Sequence, residues 1–250
     1  MEPKRTEENG MIYGRNAVRE ALNAGAGVKK LLFVSNASEE ILSLVEKARE
    51  EGIETVPVEK DRLSFLTGTD RHQGVAASLK PFRFSDVDDM LRDASEKGEQ
   101  PFLILLDSVQ DPHNLGAIIR TAHQAGAHGV ILMKNRSATV TPTVYKTSAG
   151  ALHFMKVAEV TNLSRTVEEL KKKGLWFVLA DMGGRSLYEI DFTGPVGIII
   201  GSEGSGASRL IREKADFIAS IPMKGRIDSL NASVAAGILM YEAVRQRSVR

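Results

Sequence analysis

From residue 102 onward, short and almost unbroken apolar runs alternate with amphipathic stretches. They are FLILLD, then NLGAIIRTAHQAGA; GVILM, then TPTVYKTSAGAL; FMKVAEV, then LSRTVEELKKKG; WFVLADM; VGIIIG, then ASRLIREKA; and FIASIPM, then a long final helix. Runs without polar alternation are strands covered on both faces, which requires a mainly parallel sheet between helix layers. In such sheets ligands bind at the carboxyl ends of the strands, so the loops that follow these runs are where chemistry is sought.

The first 80 residues read differently. A polar tail precedes a helix at 14–25, a strand at KKLLFVS (29–35), a helix at EEILSLVEKAREEG with Ser38 offered as its cap and Gly52 as its stop, and a strand at ETVPVE. A short helix at DRLSFLTG and a strand at GVAASLKPF complete a compact α/β unit. The polar stretch 81–100 reads as a linker that could hold one helix. The expected division is therefore 1–80, a linker over 81–100, and a second domain over 101–250.

Composition narrows the chemistry. Hydrophobic residues make up 42% and charged residues 26%, as in ordinary globular chains. No apolar run is long enough to span a bilayer and the start is too polar for a secretory signal, so a cytoplasmic, membrane-free protein is expected. There is no cysteine, which excludes disulfides, thiolate metal sites and cysteine nucleophiles. The five histidines show no ligand spacing, so no metal site is expected. A net charge of +1 leaves only local basic patches for nucleic acid, such as Arg15, Arg19, Lys29 and Lys30, or Arg71 beside His72.

Three strand ends carry unusual loops. In LLDSVQDPHNLGAIIRTA (105–122), Asn114 can cap the next helix, Gly116 lets something approach its first turn, and Arg120 lies nearly two turns on; a side shared by Asn114 and Arg120, and a helix cap with an unrelated surface arginine, are both open readings. In GIIIGSEGSGASRL (197–210), a glycine-rich turn opens backbone amides to a ligand, with a helix beginning near Ala207. It matches none of the dinucleotide, phosphate-loop or nucleophile-elbow patterns, and its Glu203 suits a cation better than a phosphate. In SIPMKGRIDSLNAS (220–233), the turn from Met223 to Leu230 can supply backbone groups. Ser229, Asn231 and Ser233 then exceed what one helix cap needs. Competition for the cap and contact with a ligand are both open readings of that surplus.

The stretches NLGAIIR, IIIGSEGSG and IPMKGRIDSLNASVAAGILMYE, in this order, resemble the three motifs of the SpoU, or TrmH, branch of the SPOUT RNA methyltransferases. YGRNAVREAL and DRHQGVAA extend the resemblance over nearly the whole chain, toward members that methylate the ribose 2′-oxygen of a guanosine in the peptidyl-transferase region of large-subunit (23S) ribosomal RNA. The resemblance implies an α/β C-terminal domain with a deep trefoil knot, a small ribosomal-protein-like RNA-binding domain before it, and a homodimer through the knotted domain. It implies S-adenosylmethionine held largely by backbone groups near Gly201, Gly206, Ile221, Met223 and Leu230. The family's catalytic positions fall on Asn114, Arg120, Glu203, Ser229 and Asn231, and Arg15, Arg71, His72 and Gln73 are the expected RNA contacts. Such an enzyme places the 2′-oxygen in line with the methyl group and helps remove its proton, with no metal. Arg120 is the family's proposed base; a guanidinium is normally always protonated, which favours a role in orienting phosphate and 2′-oxygen. The final helix is expected to bury one face through Leu230, Val234, Ile238 and Tyr241 and to present another to a partner. A transfer-RNA or other ribosomal target is the alternative within the class, and a noncatalytic ribosome-assembly protein the alternative outside it.

Overall fold

A computed structural model describes residues 11–204, 206–226 and 229–248. The polar tail before Met11, and Ile227 and Asp228 of the 223–230 turn, lie outside the described residues. The chain divides into two compact units, one of residues 11–83 with Val140–Lys146, the other of the remainder.

The first unit runs β1 (Met11–Tyr13), α1 (Arg15–Asn23), β2 (Val28–Val34), α2 (Glu39–Glu50), β3 (Glu54–Val58), α3 (Lys60–Thr67) and β4 (Val75–Leu79). Its sheet has the order β1-β4-β2-β3, with β4 antiparallel to both neighbours and β2 parallel to β3. Successive side chains of a strand point to opposite faces. Accordingly Leu31, Phe33, Val75 and Ala77 pack with α1 and α2, whereas Leu32 and Ala76 pack with Leu63 of α3. Ser38 holds the N-cap position of α2 but makes no side-chain cap bond, and Gly52 ends that helix region with φ +71°. The three-residue edge strand β1 has no counterpart in the sequence reading.

In the second unit, β5 (Phe102–Asp107), β6 (Gly129–Met133), β7 (Val157–Val160), β8 (Trp176–Ser186), β9 (Val196–Gly201) and β10 (Phe217–Ser220) form one parallel sheet in the order β10-β8-β9-β5-β6-β7. All six residues of the central β5 are buried. Helices α4 (Val87–Glu96), α7 (Leu163–Lys172) and α8 (Arg209–Lys214) belong to one core through Met90, Leu163, Val167, Leu170 and Ile211. Helix α5 (Pro112–Gln124) packs on the final helix α9 (Ala232–Ser248), which also lies on β8 and β9.

Three expectations are corrected. The stretch 81–100 is not simply a linker: residues 84–100 belong to the second unit, and α4 buries Met90 and Ala94 completely. The helix expected over 141–152 is cut to α6 (Pro142–Thr147), because Ala149 and Gly150 both take positive φ before a short 3-10 turn. In α9 the buried face is Ala232, Ala236, Leu239, Met240 and Ala243; Leu230, Val234 and Tyr241 are exposed instead. Both sides of that helix are apolar, so periodicity alone selects neither.

Candidate active site

The carboxyl end of β9 opens into a turn that closes on itself. Ser202 N–H donates to Gly206 O and Gly206 N–H to Ser202 O, both at 3.0 Å. A side chain at Gly201 would put its Cβ 2.4 Å from Ala207 N, so this position must be glycine for the turn to fold back over it. The end of neighbouring β5 anchors the same segment: the buried Asp107 accepts Ser208 N–H at 2.7 Å.

The cap of α5 is not the expected Asn114 but Asp111, which accepts His113 N–H at 2.9 Å with Pro112 in the first turn. Asn114 is thereby one turn inside the helix, buried, with its amide available to other elements. What approaches Gly116 is the chain itself, at Thr147 and Ser148.

The three strand-end loops meet in a hydrogen-bonded cluster. Asn114 Nδ2 donates to Glu203 Oε1 at 2.9 Å, and Asn231 Nδ2 donates to Glu203 Oε1 at 2.7 Å and to Asn114 Oδ1 at 2.9 Å. The first backbone N–H of α9, from Ala232, also points to Glu203 Oε1, at 3.4 Å. At its other end Asn231 is the helix cap: Oδ1 accepts from Ser233 N–H at 3.0 Å, Ser233 Oγ at 2.6 Å and Val234 N–H at 3.3 Å. Asn231 therefore caps the helix and also joins the cluster at the cleft.

Beside this cluster lies a cleft of about 840 Å³, walled by the middle of β8 (Ala180, Asp181 and Met182), the end of β9, the 219–223 segment and the start of α9. Gly201, Gly206, Ile221, Met223 and Leu230 all line it, together with Glu203, Ser229 and Asn231. One further lining residue, Asp181, escapes the sequence reading. It is held by an ion pair with Arg212 and accepts Met182 N–H at 2.6 Å. It sits where β8 leaves its register with β10 between Leu179 and Arg185. Its signal, an aspartate closing an apolar run, is the one that also marks Asp107. The lining joins backbone groups and apolar side chains with two carboxylates, a set suited to the adenosine and the positively charged sulfonium of S-adenosylmethionine.

Arg120 is not brought to the cleft. Six residues turn a helix through about 600°, some 120° short of two full turns, so it leaves the face of Asn114. It is exposed, and its side chain has no hydrogen bond or ion pair among the described residues.

The expected RNA contacts are also revised. His72 is 2% exposed, with Nδ1 accepting Gly74 N–H at 2.9 Å and Nε2 bonded to Ser64 Oγ at 3.1 Å, so neither ring nitrogen is left for RNA. Gln73 Oε1 accepts Arg15 N–H at 3.0 Å and thereby caps α1 from across the turn. The side chains of Arg15 and Arg19 pair with Glu40, whose carboxyl is held below its ordinary range chiefly by the Arg19 hydrogen bond. Of the four expected contacts, Arg71 alone keeps an exposed side chain free of hydrogen bonds and ion pairs among the described residues.

A parallel α/β unit with a cleft built from strand-end backbone, joined to a small mixed-sheet unit, defines a two-domain binding architecture, and comparison with known proteins identifies it. The SpoU rRNA Methylase family model matches residues 101–241, and the model for RNA 2′-O ribose methyltransferase substrate binding matches residues 11–85. A Bacillus subtilis protein named as a TrmH family tRNA/rRNA methyltransferase, YacO, is 42% identical over 97% of this chain and 98% of its own. The solved SpoU methyltransferase AviRb from Streptomyces viridochromogenes, in complex with AdoMet, is 28% identical with a TM-score of 0.66, covering all of this chain and 95% of that one. An AdoMet-bound rRNA methyltransferase from Sinorhizobium meliloti is 28% identical with a TM-score of 0.62, over 96% and 88%. The chain belongs to the SpoU family and is an S-adenosylmethionine-dependent RNA methyltransferase. No helix among the described residues is long and apolar enough to cross a membrane.

Proposed function

We propose that this chain methylates the ribose 2′-oxygen of a guanosine in the peptidyl-transferase region of large-subunit ribosomal RNA. The observation that carries the reading is the Asn114–Glu203–Asn231 cluster at the wall of a cleft made from strand-end backbone, in a chain whose first unit matches a 2′-O ribose methyltransferase substrate-binding model. S-adenosylmethionine supplies an activated methyl group on a sulfonium. Gly201, Gly206, Ile221, Met223 and Leu230 would hold it; Glu203, fixed by two side-chain amides, sets a negative charge at the wall; Ser229 offers a hydroxyl to the same space. In this reading the loops around 201–206 and 221–231 belong to the trefoil knot, and Arg71 contacts RNA from the first unit.

Arg120 completes the arrangement from a second copy. Its exposure, its lack of side-chain partners among the described residues and its absence from the cleft wall support a site to which one protomer gives the cleft and the other gives Arg120 to orient phosphate and 2′-oxygen. The half-exposed Val234 and Tyr241 of α9 offer apolar surface for such a contact.

The test is methyl transfer from labelled S-adenosylmethionine to undermethylated large-subunit ribosomal RNA, with transfer RNA alongside, followed by mapping of 2′-O-methyl positions. One modified guanosine in the peptidyl-transferase region, absent with Arg120→Ala, is the expected result. Label on transfer RNA would move the substrate, and cofactor binding without transfer to any RNA or ribosomal particle would favour the noncatalytic reading.

A further inference from the structure

Helix α3 covers the face of the first unit's sheet opposite to α1 and α2. It buries Leu63 and Thr67 and packs Leu66 toward Leu32 and Ala76. Arg62 and Phe65, three residues apart, are left together on the outer side. Phe65 is 76% exposed, the most exposed large apolar residue among those described, and the Arg62 guanidinium carbon lies 5.4 Å from its ring centroid. A single exposed apolar side chain is ordinary on a protein surface. This one has a cation against its ring, which holds the pair together, and it stands on a braced support.

The brace runs through the neighbouring turn. His72 joins Ser64, next to Phe65, to Gly74 across the turn, while Thr67 Oγ1 donates to Leu63 O at 2.9 Å and bonds Thr69 O at 3.0 Å. Helix α3 and the 69–74 turn, which carries the exposed Arg71, are thus held as one piece. Nearby charges are mixed, Lys60, Arg62 and Arg71 against Asp61 and Asp70, so the surface is no phosphate trap. What it offers is an aromatic face.

We propose that Phe65, backed by Arg62, is a stacking platform for an unpaired base of the RNA substrate, an inference that rests on the RNA methyltransferase reading above. Sequence-specific RNA recognition uses loops whose splayed bases stack on aromatic rings and guanidinium planes, and an aromatic face accepts any base. The match of residues 11–85 to a substrate-binding model puts α3 in the part of the chain where such a contact is needed. The platform adds affinity and leaves the choice of methylated atom to the cleft.

The test compares wild type with Phe65→Ala, Phe65→Leu and Phe65→Tyr on undermethylated large-subunit ribosomal RNA and on transfer RNA. Ala and Leu are expected to weaken RNA binding and raise KM for RNA by roughly 5- to 100-fold, and Tyr to restore both. The kcat at saturating RNA, S-adenosylmethionine affinity and Tm stay near wild type. Phe65→Trp in a Trp176→Phe background, which removes the chain's one native tryptophan, gives a direct probe whose fluorescence RNA should quench. Equal RNA affinity across the series, with no quenching in the Phe65→Trp variant, would overturn the platform while leaving the enzyme reading intact. A wild type that binds S-adenosylmethionine but neither RNA would overturn the substrate reading and the platform with it.

Discussion

At the scale of single residues, Asn231 uses the two ends of one amide for two purposes. Its oxygen caps α9 and its nitrogen ties Glu203 to Asn114. Substitution can separate them. Asn231→Ala removes the cap and is expected to cost about 1 kcal/mol of stability. Asn231→Asp keeps the acceptor for the cap but loses the donor and sets a second carboxylate beside Glu203, where like charges disfavour each other. Thermal unfolding should therefore distinguish the two variants, while both lose methyl transfer by at least about tenfold; full activity in the Asp variant would show that the amide nitrogen is dispensable. A second residue-scale effect comes from His128, outside the cluster. Its buried Nδ1 accepts Phe102 N–H at 3.1 Å, so Nε2 carries the proton toward Glu99 at 3.1 Å. Burial pushes the His128 pKa below its ordinary 6.5, with the Glu99 hydrogen bond opposing in part. Below that ordinary value the unfolded chain takes up a proton that the folded chain refuses, so this contribution is present above about pH 6.5 and is lost as pH falls through the folded pKa. Urea midpoints at pH 7.5 and 5.5 should show wild type losing more stability on acidification than His128→Asn; identical losses would exclude His128 as the cause.

At the scale of elements, the turn after β9 depends on Gly201 more than on the polar residues beside it. An added methyl there meets backbone at 2.4 Å, from Ala207 N and Gly206 C, and backbone cannot move aside as a flexible side chain can. Gly201→Ala is expected to cost about 1–3 kcal/mol as overpacking and to displace the 202–206 turn. S-adenosylmethionine binding measured by calorimetry should fall with it, and unchanged affinity would mean the turn does not hold the cofactor. The same strands show what is legible from sequence. FLILLD, GVILM and VGIIIG coincide with β5, β6 and β9 because both faces of each are buried and polarity begins where burial ends. Asn114, Glu203 and Asn231 are legible because each is a polar residue at the end of such a run or the start of the next helix. Other features follow from tertiary contacts that no local pattern carries. The face of α9 is one, since apolar residues lie all round it. The docking of α4 is another, since Met90 and Ala94 are few among polar neighbours. His72 and Gln73 are a third: polar types in a turn look solvent-facing until their partners Ser64, Gly74 and Arg15 are seen.

At the scale of the whole molecule, the position of Arg120 decides whether one chain is a sufficient enzyme. It lies on α5, exposed and away from the cleft wall, whereas Asn114, one turn into the same helix, reaches Glu203 at that wall. If Arg120 serves its own cleft, two inactive variants cannot rescue each other. If it serves a partner's cleft, they can, because a mixed dimer of Arg120→Ala and Glu203→Ala has one site with an intact cleft from the first chain and Arg120 from the second. Random exchange makes about half the dimers mixed with one working site each, so about a quarter of wild-type activity is expected from two inactive parents. The experiment needs subunits refolded or coexpressed together and a sizing measurement to confirm exchange. Activity near that level fixes the site as shared between protomers. None, with mixed dimers demonstrably formed, returns Arg120 to its own chain and requires α5 to turn toward the cleft when RNA binds.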